Sequence, residues 1–71
     1  MEPSKINFEK VGENIRMHRK AKGFKQEWLG RKVNLNKSEI SRIENGKRNT
    51  SVKTLVQIAV VLEIDLSRFF S

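Results

Sequence analysis

Cysteine and tyrosine are absent from this chain, and histidine, tryptophan and proline each occur once. Without cysteine there is no disulfide framework, so a small fold must be held by packing alone. A Cys/His zinc site and a cysteine nucleophile are excluded as well. A Ser-His-Asp arrangement would have to use His18, and 71 residues leave little room for a substrate cleft. No paired carboxylates or nucleophile–base set is legible, so the chain does not read as an enzyme. Nothing in it calls for a cofactor, a metal or a small-molecule ligand. The most apolar stretch, Leu55 to Leu62, is too short to span a membrane. The first residues, Met1-Glu2-Pro3-Ser4-Lys5, lack the apolar core of a signal peptide. These absences leave the expectation of one basic cytoplasmic domain, with a tail over residues 1–6 and a folded unit over residues 7–71.

What the chain has in excess is positive charge. It carries 15 Lys plus Arg against 8 Asp plus Glu, a net +7. The excess is not spread evenly. Residues 16–48 hold eleven basic side chains against Glu27, Glu39 and Glu44, a net +8, and the flanking segments are close to neutral. Such a concentration attracts a polyanion, because neutralising phosphates releases condensed counterions. A solvated, solubilising surface is the alternative that composition leaves open.

Apolar residues recur at helical spacing and nowhere alternate over a strand-length run. The pattern predicts an all-α, compact five-helix bundle. Asn7 caps a first helix in which Phe8, Val11, Ile15 and His18 form one stripe, and Gly23 ends it. A second helix runs from about Gln26 to Lys32, with Leu29 and Val33 inward. Asn34 suits a sharp left-handed turn, and Asn36 can cap a third helix from Lys37 to about Glu44, with Ile40 and Ile43 inward. Asn45-Gly46 stops it. Ser51 caps a fourth helix, whose Leu55, Ile58, Ala59 and Leu62 give an i, i+3, i+4, i+7 stripe. A short fifth helix, capped by Asp65, carries Leu66, Phe69 and Phe70. Two short helices joined by a tight turn suggest a helix-turn-helix, although periodicity alone does not separate it from any other five-helix bundle.

The stretches Gly23-Phe24-Lys25-Gln26-Glu27-Trp28-Leu29-Gly30 and Ser38-Glu39-Ile40-Ser41-Arg42-Ile43-Glu44-Asn45-Gly46-Lys47-Arg48 resemble the Cro/phage-repressor type of helix-turn-helix, also called lambda-repressor-like. The resemblance covers about residues 8–70. It implies sequence-specific binding of double-stranded DNA, usually by a symmetric homodimer on a palindromic operator. Carried over residue by residue, it sets Lys37, Ser38 and Arg42 on the face of the recognition helix that enters the major groove. Arg42 and Lys37 can donate to guanine O6 and N7, and Ser38 can serve either base type. Gln26 matches a glutamine that reaches a phosphate and braces a base reader. Asn36 and Ser41 flank the reading face as backbone contacts. The loop Asn45, Gly46, Lys47 and Arg48 matches one whose amides and basic side chains hold phosphate. Arg19 and Glu44 match a partly buried structural ion pair.

The chain departs from the family pattern in several places. Lys25 stands where Ser or Thr usually caps the second helix, at a cost of about 1 kcal/mol. Phosphate attraction by Lys25 is a plausible offset. Gly30 replaces Ala, which keeps the second and third helices close. Trp28 replaces an outward polar residue; plain packing is the preferred reading, with a partner interface and the sugar–phosphate surface as alternatives. His18 reads as a half-buried core residue. Phe69 and Phe70 are adjacent and cannot share a helix face, which motivates a homodimer contact through Leu66, Phe69 and Phe70. Chains of this kind resemble restriction–modification controllers, phage or mobile-element regulators and antitoxins. Two competing readings are a protein-interaction module that has kept only the fold, and non-specific nucleic-acid binding through charge.

Overall fold

The computed structural model describes residues 6–71, so the expected tail lies almost wholly outside the described residues. Four α-helices follow in order: α1 (Phe8–Ala21), α2 (Gln26–Lys32), α3 (Lys37–Glu44) and α4 (Val52–Leu62). The fifth expected helix is not an α-helix. Leu66–Phe70 forms a 3-10 helix of five residues, opened by Asp65, whose carboxylate accepts from the Ser67 amide at 3.0 Å. So short a segment cannot accumulate i→i+4 bonds, and the tighter i→i+3 turn is what five residues can close. No strand occurs among the described residues.

The helix boundaries follow from side chains that satisfy orphan backbone groups. The Asn7 carbonyl oxygen Oδ1 accepts from the Lys10 amide at 3.1 Å and starts α1. Gly23 ends it at φ 77°, with its amide donating to the Lys20 carbonyl. Helix α2 starts at Lys25 with no side-chain cap. Asn34 then takes up φ 62°, the left-handed turn that connects α2 to α3. Asn36 and Glu39 form a full capping box on α3: Asn36 Oδ1 accepts from the Glu39 amide at 2.8 Å, and Glu39 Oε1 accepts from the Asn36 amide at 3.0 Å. Ser51 Oγ accepts from the Thr54 amide and starts α4. That helix ends on Glu63, a non-glycine residue at φ 58°.

Val11 and Ile15 of α1, Leu29 of α2, Ile40 and Ile43 of α3, and Leu55, Ile58 and Leu62 of α4 form one core. Helix α3 packs against both α1 and α2, so its inner side is fully committed. At Gly12 the backbone of α1 comes so close to α3 that a Cβ would meet the carbonyl oxygens of Ile43 and Glu44. At Gly30 a Cβ would meet the Leu35 carbonyl oxygen across the tight turn. The 3-10 helix closes the far side of α1. Its Phe69 ring is fully buried, and the Asn14 amide Nδ2 donates to the Phe69 carbonyl at 2.8 Å.

Candidate nucleic-acid interface

The interface is built outward from one buried charge pair. Arg19, near the end of α1, donates from Nε to Glu44 Oε2 at 2.6 Å and from Nη2 to Oε1 at 3.0 Å. Its Nη1 donates to the Phe24 carbonyl at 2.6 Å. One guanidinium thus ties the last turn of α1 to the end of α3 and to the loop that leads into α2. The bidentate geometry and the added carbonyl satisfy the donors that burial would otherwise strand. Gln26, the first residue of α2, joins the cluster: its Nε2 donates to Glu44 Oε1 at 3.0 Å. The Gln26 amide is thereby oriented, with one Nε2 proton held by Glu44 and the other left for an outside acceptor.

Helix α3 turns Ile40 and Ile43 into the core and leaves Lys37, Ser38 and Arg42 exposed. No ion pair engages Lys37 or Arg42 among the described residues. Two shallow depressions meet at Gln26. Arg19 lines both; Lys25, Glu27 and Lys37 complete the first with Gln26, and Arg16, Ser41, Glu44 and Asn45 complete the second. Lys25, Gln26, Lys37, Ser41 and Asn45, named from the sequence, therefore share one continuous surface. Arg16 borders the same surface, and its charge is the only signal of that in the sequence.

The remaining named residues are partly occupied. Asn36 is exposed, but its side-chain carbonyl oxygen is taken by the capping box. Asn45 Nδ2 reaches Ser41 Oγ at 3.4 Å. In the loop after α3, Gly46 adopts φ 71°, and a Cβ there would lie 2.7 Å from the Glu9 Cα. The amides of Asn45, Gly46 and Lys47 donate to Ser41, Ile43 and Arg42 carbonyls at 3.0, 3.1 and 2.9 Å. Three of the amides expected to hold phosphate are thus already engaged in closing α3. Arg48 Nη1 donates to Glu39 Oε2 at 2.7 Å. Its charge is matched within the chain, and Lys47 is the exposed cation of this loop left without an ion pair among the described residues. The Asn36 amide, and then the Arg48 guanidinium, hold the Glu39 carboxyl below the usual carboxylate range.

The expected C-terminal contact residues divide. Phe69 is fully buried in its own chain and has no surface to offer a partner, Leu66 is half-buried and Phe70 is exposed. In a 3-10 helix residues i and i+3 eclipse, so Leu66 and Phe69 face inward together and Phe70 does not. Besides Phe70, exposed apolar side chains occur on α4, where Val52, Val56 and Val60 follow at i, i+4 and i+8. The buried stripe of α4 dominates its sequence pattern, and this second, exposed one becomes distinct only in the packed structure. Trp28 packs over Phe24 with ring centroids 4.1 Å apart, and Lys32 Nζ lies 5.1 Å from the Trp28 ring. His18 is half-buried beside Phe69, with ring centroids 6.5 Å apart.

Residues 15–69 match the helix-turn-helix family HTH_3, and the chain belongs to that family. It is 39% identical to the control protein C.MunI of a Mycoplasma species, in a match spanning 100% of this chain and 93% of that protein. The fold superposes on the crystal structure of the restriction-modification controller protein C.AhdI from Aeromonas hydrophila with a TM-score of 0.84. That match has 33% identity and covers 90% of this chain and 93% of the other. It also superposes on SinR, a master regulator for biofilm formation solved in complex with DNA. There the TM-score is 0.77 and the identity 31%, over 86% of this chain and 98% of that one.

Proposed function

We infer that this chain is a DNA-binding regulator of transcription that reads a palindromic operator in double-stranded DNA as a symmetric homodimer. The observation that carries this reading is the display on α3: Lys37, Ser38 and Arg42 stand exposed together while Ile40 and Ile43 anchor the opposite side. Arg42 and Lys37 are the base readers, since both present free donors that suit guanine in the major groove. Ser38 reads beside them. Gln26, oriented by Glu44, holds a phosphate at the start of α2, with Lys25 adding charge there and Lys47 doing so at the other end of α3. Asn36, Ser41, Asn45 and Arg48 border this surface and set its shape. Such contacts fix register, and the base readers supply sequence preference.

A dimer is favoured by the exposed Val52, Val56, Val60 and Phe70, which lie in the segment of near-zero net charge. The likeness to C.MunI and C.AhdI over nearly the whole chain favours a controller of a restriction–modification system as the biological setting. Selection of bound duplexes from a random pool tests the reading. A palindromic consensus with half-sites about 34 Å apart supports it. Equal recovery of all sequences would reduce it to non-specific binding through charge.

A further inference from the structure

The two carboxylate oxygens of Glu39 are spent on different partners. Oε1 accepts from the Asn36 amide at 3.0 Å and closes the capping box that starts α3. Oε2 accepts from Arg48 Nη1 at 2.7 Å, nine residues on, in the loop that follows α3. The cap needs only an acceptor, since Gln serves at this position of a capping box as Glu does. The hold on Arg48 needs the charge, because a charge-assisted hydrogen bond is roughly twice as strong as a neutral one. The Arg48 and Glu39 side chains are 36% and 34% exposed, so the pair faces solvent. A pair this open is worth little, and a phosphate can displace its carboxylate. Lys47, next in the loop, is exposed and has no ion pair among the described residues. Of two adjacent cations, one is open and the other is already matched.

We propose that Glu39 is an internal competitor for DNA phosphate: its carboxylate occupies Arg48 in the free chain and holds down affinity for duplex of any sequence. The proposal rests on the DNA-binding reading above and gives the one acidic side chain at the start of α3 a part in it besides capping. To reach a phosphate, Arg48 has to give up Glu39, and the freed carboxylate then opposes the same polyanion. Phosphate contacts carry no sequence information, so the restraint bears on all duplexes alike. Binding is thereby left to depend more on the base readers Lys37, Ser38 and Arg42. Each phosphate neutralised contributes about 0.9 to the slope of log affinity against log salt, so release of Arg48 is readable in that slope.

The test is a double-mutant cycle with the full chain, Glu39→Gln, Arg48→Gln and the two together, in salt titrations of binding to a random-sequence duplex. Glu39→Gln is expected to tighten binding roughly two- to fivefold, the worth of an exposed pair, and to steepen the slope by about one unit. In the Arg48→Gln background the same substitution should leave the slope unchanged and bring a much smaller gain. Helix content by circular dichroism should be the same in all four proteins, because Gln keeps the capping acceptor. No gain in Glu39→Gln overturns the proposal. An equal gain in both backgrounds also overturns it, since the effect would then be one of net charge. Failure of the unaltered chain to bind duplex with a salt-dependent affinity overturns the DNA-binding reading itself.

Discussion

Arg19 and Glu44 stand 25 residues apart in sequence and 2.6 Å apart in space, and both side chains are almost wholly buried. The pair joins the last turn of α1 to the end of α3, and through Gln26 it reaches the start of α2. Removing one partner strands the other charge, so Arg19→Ala or Glu44→Ala should each cost about 3–5 kcal/mol by urea denaturation. Replacing both by apolar residues of similar size, Arg19→Met with Glu44→Leu, should recover most of that loss. If the single variants are as stable as the unaltered chain, the pair does not organise the fold.

Arg42→Ala should weaken binding to the selected operator by roughly 1–3 kcal/mol and relax preference at one base position. A parallel loss on random duplex would remove Arg42 from the base readers. Lys47→Ala should act differently, weakening all duplexes alike and flattening the salt slope by about one unit. Arg48→Ala should flatten it less, because Glu39 already matches that charge.

Glu63 ends α4 at φ 58° and ψ 42°, a conformation that glycine adopts without the crowding a Cβ meets. Its only ion-pair partner among the described residues is Lys22 at 3.0 Å, in an exposed pair worth little. Glu63→Gly is therefore expected to raise stability by about 0.5–1 kcal/mol, visible as a higher melting temperature. A fall in that temperature larger than that of Lys22→Ala would contradict the strain argument.

The Glu39 carboxyl is held below its ordinary range by the Asn36 amide and by Arg48. A carboxylate depressed in the folded state stabilises the fold above its unfolded pKa, and that contribution is lost as pH falls through the folded value. Acid should thus loosen the capping box at the start of α3. Asp65, depressed first by the Ser67 amide, should act in the same direction at the 3-10 helix. Denaturation midpoints measured from neutral to acid pH should fall, and Glu39→Gln should make that fall shallower. Identical pH profiles would show that Glu39 carries no such linkage.

Much of the fold is legible from local pattern. Asn7, Asn36 and Ser51 were readable as caps because each acts on an amide three residues ahead. Asn34 was readable as a left-handed turn because few residue types tolerate that conformation. Leu66–Phe70 is a 3-10 turn and not the expected α-helix, and five residues carry too little periodicity to distinguish the two in sequence. In the site, the exposed face of α3 followed from the inward spacing of Ile40 and Ile43, and the Arg19–Glu44 partnership followed only from the family resemblance.

The sequence alone determined the helical class, the four main helices, the turn between α2 and α3, and a basic excess confined to residues 16–48. These rest on interactions within a few residues along the chain, or on counting. Tertiary structure decided how the excess is divided. Arg19 is spent on Glu44 and Arg48 on Glu39, while Lys37, Arg42, Lys47 and Arg16 remain exposed without ion pairs among the described residues. It also turned Phe69 inward, held its carbonyl on Asn14, and left Val52, Val56 and Val60 of α4 on the surface. The reason is physical: a charge is matched or left open by what packs within a few ångströms of it, and packing joins segments that are distant in sequence.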